Sequence, residues 1–131
     1  MKYDTNWQFL GSKNLGLGQA HWSTGIVFDG TPFYVAYLDN SKWAFPAPKI
    51  FPIYLDAHLA VFDANWNLLA DVAATNFSSA NSKAAGRPWV MLHNKRLYLA
   101  YDVDVIDPTK VPAEQFQGQV WITVYDLIEN P

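Results

Sequence analysis

Tyr3-Asp4-Thr5-Asn6-Trp7-Gln8 returns as Phe62-Asp63-Ala64-Asn65-Trp66-Asn67, and its opening appears once more as Tyr125-Asp126-Leu127. Between these marks Pro32-Phe33-Tyr34-Val35-Ala36-Tyr37 is echoed by Arg96-Leu97-Tyr98-Leu99-Ala100-Tyr101. The two echoes divide the chain into tandem units of about 60 residues within one domain, 1–131. The units run from about 3 to 62 and from about 62 to 125. The phrase is interrupted at both ends, which leads to the expectation that one copy of the chain completes another.

Each unit reads as antiparallel strands, because alternating and β-branched or aromatic runs dominate and no helical period is sustained. Gly25-Ile26-Val27-Phe28 meets Asp29-Gly30, a hairpin turn pair tolerant of positive φ, and Phe33–Leu38 returns. In the second unit Trp89–Leu92 turns at His93-Asn94 into Arg96–Val103. Proline-rich connections follow, Asn40–Pro52 and Asp104–Gly118, since proline cannot donate to a ladder. Ile53–Phe62 and Gln119–Tyr125 form third strands. Trp66–Val72 is a fourth, and its first-unit counterpart is Trp7–Leu10.

Four antiparallel strands per repeat predict an all-β fold of two β-propeller blades. The second blade lacks an outer strand, and two blades cannot close a ring. Unpaired edges and a wide apolar face would remain. The expected solution is a cyclic homo-oligomer in which the N-terminal strand completes a neighbour's last blade. A trimer with six blades is favoured over rings of four or eight. The alternative is a single-chain β-sandwich or barrel.

The hairpin Val27-Phe28-Asp29-Gly30-Thr31-Pro32-Phe33-Tyr34-Val35-Ala36-Tyr37 resembles the D-G-x-Y-Y segments of arabinanase-type glycosidase blades, and Val90–Tyr101 has the same shape. Two-blade chains closing a six-bladed ring are similar to small fucose-binding lectins. The resemblance implies a propeller and a sugar ligand. It transfers no catalytic or binding residues, because neither the glycosidase carboxylates nor the lectin contacts match positions here.

Composition excludes several classes. Half of the 131 residues are hydrophobic and only 16% are charged, which argues against disorder. A net charge of −3 provides no basic field for nucleic acid or an anionic membrane. No apolar run approaches the roughly 18–20 residues of a membrane span. The first twenty residues hold no apolar signal core, so the cytoplasm is the default expectation. Without cysteine there is no disulfide framework or thiolate metal site.

The long connections gather on one side of such a ring, where binding is expected. The candidate ligand residues are Asp39, Asn40, Lys42, Trp43 and Phe45, with His21 and Trp22, from the first unit. Arg87, Trp89, Asp102 and Asp104 come from the second. An aromatic plane beside amide, carboxylate and ammonium groups suits a sugar, whose CH face stacks while its hydroxyls hydrogen-bond. Asp102 and Asp104, two apart, should share one side of a strand. With Asp107 they could hold a hard cation, but the spacing of a calcium loop is missing. His21, His58 and His93 share no zinc spacing. No metal, cofactor or catalytic residue is assigned. The expected function is non-catalytic recognition of a carbohydrate or small polar ligand. The alternatives are a glycoside hydrolase, with carboxylates such as Asp39, Asp102 and Asp104 converging, and a structural or protein-interaction ring.

Overall fold

The computed structural model describes residues 2–3, 5–17, 20–41, 55–77, 83–106 and 116–127, with backbone alone for 2–3, 20–24, 106 and 116–117. These residues form strands and turns without a helix. The strands are β1 (Lys2–Tyr3), β2 (Phe9–Gly11), β3 (Ala20–Phe28), β4 (Phe33–Asp39), β5 (Asp56–Phe62), β6 (Leu68–Ala73), β7 (Lys83–His93), β8 (Arg96–Ile106) and β9 (Phe116–Asp126). They assemble into antiparallel sheets in the orders β1-β2, β3-β4-β5-β6 and β7-β8-β9.

The all-β expectation holds, and several boundaries need correction: β3 begins at Ala20 and β7 at Lys83, ahead of the expected Gly25 and Trp89. The second hairpin turns at Asn94-Lys95, because His93 pairs with Arg96 and both turn residues have positive φ (48° and 59°). That is the two-residue geometry matching strand twist. Trp7 and Trp66 belong to turns instead of opening strands, each with φ of 62°. In the Trp66 turn, Asp63 Oδ1 accepts from the Asn65 and Asn67 amides and Oδ2 from Asn67 Nδ2, all at 2.8 Å. These bonds, the Asn67 amide first, hold the Asp63 carboxyl below its ordinary range. The third strand of the second unit is longer than expected, starting at Phe116.

The N-terminal hairpin repeats the β5–β6 hairpin in detail. Lys2 pairs with Gly11 and Tyr3 with Phe9, while Val61 pairs with Ala70 and Phe62 with Leu68. Both registers slip at the same step, as a bulge requires. The repeated phrase therefore encodes a repeated turn.

The four-stranded and three-stranded sheets stack face to face, with β7 against β3, β4 and β5. Between them lie Leu38, Leu59, Leu97, Leu99 and Val103, all 3% exposed or less. Burying each such side chain is worth roughly 1.5–3 kcal/mol. Alternation along strands assigns the faces. β4 contributes Tyr34, Ala36 and Leu38 to this core, whereas β8 contributes Leu97, Leu99 and Tyr101. In the hairpin echo Tyr34 corresponds to Tyr98, and Leu97 to Phe33. The units thus meet through opposite faces.

Gly25 marks a close approach. A Cβ there would lie 2.8 Å from the Val90 nitrogen and 3.4 Å from Trp89 Cα, so a side chain would collide with β7. On the outward face of the first sheet a smaller cluster of Val35, Tyr37, Ala60 and Phe62 packs under Leu15, Leu17 and Trp66. Lys13 Nζ donates to the carbonyls of Asn65 and Trp66 at 2.9 Å, tying this segment to the turn.

Candidate functional site

Strands β4, β6 and β8 end, and β5, β7 and β9 begin, at one end of the stack. Asp39, Asn40 and Asp104 lie at or near this end with the backbone of His21 and Trp22, Arg87 and Asp102 lie further in, and Trp89 sits past the middle of β7. Lys42, Trp43 and Phe45 lie outside the described residues. His21 and Trp22 are placed as backbone in β3, with His21 opposite Leu38.

The most developed group is on the outward face of the second sheet. Register breaks between Gly86 and Trp89, where buried Pro88 cannot donate to the ladder and Arg87 takes φ of 43°. Positive φ is costly for a residue with a Cβ and is held here by the surrounding ladder. Arg87 Nε donates to Asp102 Oδ2, closing an ion pair with an 82% exposed arginine side chain and a 23% exposed carboxylate. Asp104 follows on the same side of β8. Burial raises its carboxyl above the ordinary range; the Asp102 charge adds to this and Arg87 opposes it.

Both carboxylates face glycines across the ladder, Asp102 beside Gly86 and Asp104 beside Gly118. A Cβ on Gly86 would lie 3.6 Å from Asp102 Oδ2, and one on Gly118 3.5 Å from Asp104 Oδ1. Across the other ladder Asp102 pairs with Val120, 74% exposed, and Asp104 with Ala84. Trp89 stands one row along, 61% exposed and paired in register with Ala100. A guanidinium, two carboxylates and a bare indole therefore occupy one shelf, with hydrogen-bonding and stacking capacity.

Asp39 does not join them. It ends β4 on the outward side of the first sheet, where its carboxylate accepts from the Ser41 amide at 3.3 Å and from the Ser41 hydroxyl. The single chain thus separates Asp39 from Asp102 and Asp104. Asn40 follows, with its Oδ1 buried and without a hydrogen-bond partner.

Three further groups escaped sequence reasoning. Tyr37 donates its hydroxyl to Asp71 Oδ2 at 2.6 Å, and His58 Nδ1 lies 3.0 Å from Asp71 Oδ1. Burial first, then the Asp71 hydrogen bond and charge, pushes the Tyr37 phenol far above its usual value. Asp56, 3% exposed, accepts from Thr75 Oγ1 at 2.7 Å and from the Phe77 amide at 2.6 Å, fastening the connection after β6. Lys83 Nζ sits 4.9 Å from the Trp121 ring centre, with Phe77 edge-on to the same ring. Alternation could have put His58, Ala60 and Asp71 on one face, but only the β5–β6 register brings Asp71 within reach.

Among the described residues no group of three or more acidic, histidine or cysteine side chains is arranged to hold a metal ion. No protein-family model matches the chain, and neither a curated protein nor a solved structure matches it.

Proposed function

We propose that this chain is a non-catalytic binding protein, an oligomeric β-propeller that recognises a carbohydrate or a similar small polar ligand at its long-connection end. One observation carries the reading: Arg87, Asp102 and Asp104 share a shelf with two glycines and the exposed indole of Trp89. A sugar ring would stack on the indole while its vicinal hydroxyls bridge guanidinium and carboxylate. Each site is small and partly open, so affinity would come from several sites on one ring.

Propeller assembly is supported by the stacking of two similar sheets through opposite faces, which can propagate to a third sheet. Closure also needs a fourth strand beside β9. Phe9–Gly11 would fill that place by exchanging Lys2–Tyr3 for Val124–Tyr125 in the register that Leu68–Ala70 uses beside β5. Three chains of 14.8 kDa would form six blades with a mass of about 44 kDa.

A glycan array followed by calorimetry on the intact assembly tests the ligand. Arg87→Ala should weaken binding at least about tenfold, the loss of a charge-assisted hydrogen bond. Silence across broad sugar classes ends the carbohydrate reading. Light scattering tests the ring, and a stable monomer at micromolar concentration rejects it.

A further inference from the structure

We propose that the outward face of the second sheet is a docking surface for a second copy of this chain, and that it receives the outward face of that copy's first sheet. The inference rests on the propeller reading and specifies its interface. Register lays out the face in rows: Met91, Tyr98 and Val124, then Trp89, Ala100 and Ile122. Val124, Ile122 and Met91 are 50%, 62% and 52% exposed, which is unusual for large apolar side chains aligned on one sheet. The band is bounded at the turn end by the Arg96–Asp126 ion pair, 2.6 Å, and at the other by Arg87–Asp102. An apolar centre between charged ends has the anatomy of a protein interface.

The occupant follows from the stack within the chain. In the hairpin echo Tyr98 and Ala100 correspond to Tyr34 and Ala36, and the paired residues Ile122 and Val124 to Leu59 and Val61. Those counterparts are the face of the first sheet that the second sheet covers. The face that covers them, Leu97, Leu99 and Tyr101, corresponds to Phe33, Val35 and Tyr37 on the outward side of the first sheet. Each outward face is therefore the counterpart of a face already mated inside the chain; on the first sheet Ile26 and Phe28 are exposed, while Val35 and Tyr37 lie under Leu15 and Leu17, which would form part of the contact. Such a contact is head to tail, so it closes only as a ring or propagates as a filament.

One position makes the two interfaces differ. Trp89 pairs with Ala100 as Gly25 pairs with Ala36, so an indole stands where the internal contact tolerates no side chain. With the indole in place the contact between copies is wider there than the internal one, and a smaller side chain at position 89 would let the two strands approach more closely. The indole marks the border between apolar band and polar shelf.

The chain has no cysteine, which makes the test clean. Trp89 and Ile26 are the counterparts of Gly25 and Val90, which touch inside the chain. Single variants Trp89→Cys and Ile26→Cys, mixed, unfolded, refolded together and oxidised, should give a disulfide-linked dimer containing one of each. Neither variant alone should link. Linkage within either variant alone indicates a face docking on itself and overturns the proposal, as does no linkage in a mixture whose circular dichroism matches the parent. As an independent measurement, Ile122→Asp should shift an oligomer to monomer in light scattering with its β-spectrum retained; an unchanged oligomer overturns the proposal. Oligomers without mixed linkage refute this interface while leaving the ring to another contact. Mixed linkage with a silent glycan array removes only the ligand.

Discussion

Gly25→Ala should wedge the two sheets apart, and its cost can be worked from the structure. The added methyl would sit 2.8 Å from the Val90 nitrogen, 3.3 Å from Val90 Cγ1 and 3.4 Å from Trp89 Cα. The nearest obstacle is backbone of a central ladder, so no rotamer change relieves it. Restoring ordinary contact needs a local separation of roughly half an ångström or more, felt by neighbours packed as densely as a crystal. Overpacking of this kind costs about 1–3 kcal/mol. A chain of this length loses roughly 3–5 °C of midpoint per kcal/mol, so a drop of about 6–10 °C is expected near the middle of the range. The control is Gly86→Ala, whose methyl would meet Asp102 Cβ at 3.7 Å, an ordinary contact. Gly86→Ala should be neutral or slightly stabilising, because alanine restricts the unfolded chain. Both should be compared by urea and thermal unfolding at one protein concentration, since the proposed assembly would couple to stability. If Gly25→Ala matches or exceeds wild type, the sheets do not approach at this point and the opposite-face stack is wrong there.

Thr75→Val keeps the shape but removes a donor to buried Asp56 and the acceptor of the Ala57 amide, 3.0 Å away, so unfolding should cost about 3 kcal/mol less. Asp104→Asn should gain stability over wild type above the ordinary carboxylate range. The wild-type carboxyl is raised, so its contribution is complete below the unfolded value and is lost as pH rises through the folded one. Denaturation across mildly acid to neutral pH should show that divergence, and parallel curves would refute it. Tyr34, Tyr37 and Tyr125 all have phenols raised chiefly by burial, so stability should fall as pH climbs above about 10. In an ultraviolet titration these phenols should ionise together with unfolding, and stepwise ionisation of a folded protein would contradict the packing. Tyr37→Phe removes the donor to Asp71 and should cost about 1.5–3 kcal/mol by denaturant unfolding, as expected for a hydrogen bond to a charge.

Much of the fold was legible because strand signals are local. The Asp29-Gly30 turn, the alternation after Phe33 and the repeated Asp-x-Asn-Trp turn each act over a few residues. Register was less legible. His93-Asn94 looked like the turn because asparagine favours positive φ, but the ladder shifts the turn onto Lys95, which sequence preference alone would avoid. The candidate site was legible only where strand alternation governs it. Asp102 and Asp104 share a side as their spacing requires, whereas the Arg87 bulge depends on Pro88 being buried within β7. The Tyr37–His58–Asp71 group joins three strands, and no local pattern encodes a contact across two registers.

The duplicated hairpin also bears on how the molecule avoids joining the wrong partner. While Lys2–Tyr3 stays on β2, that strand's pairing edge is already occupied by a short stand-in with the matching register. In the proposed ring the chain would thus guard its own sticky edge, and closure would be a displacement reaction. Its rate should depend on how readily a two-residue strand lets go, not only on how often two copies meet.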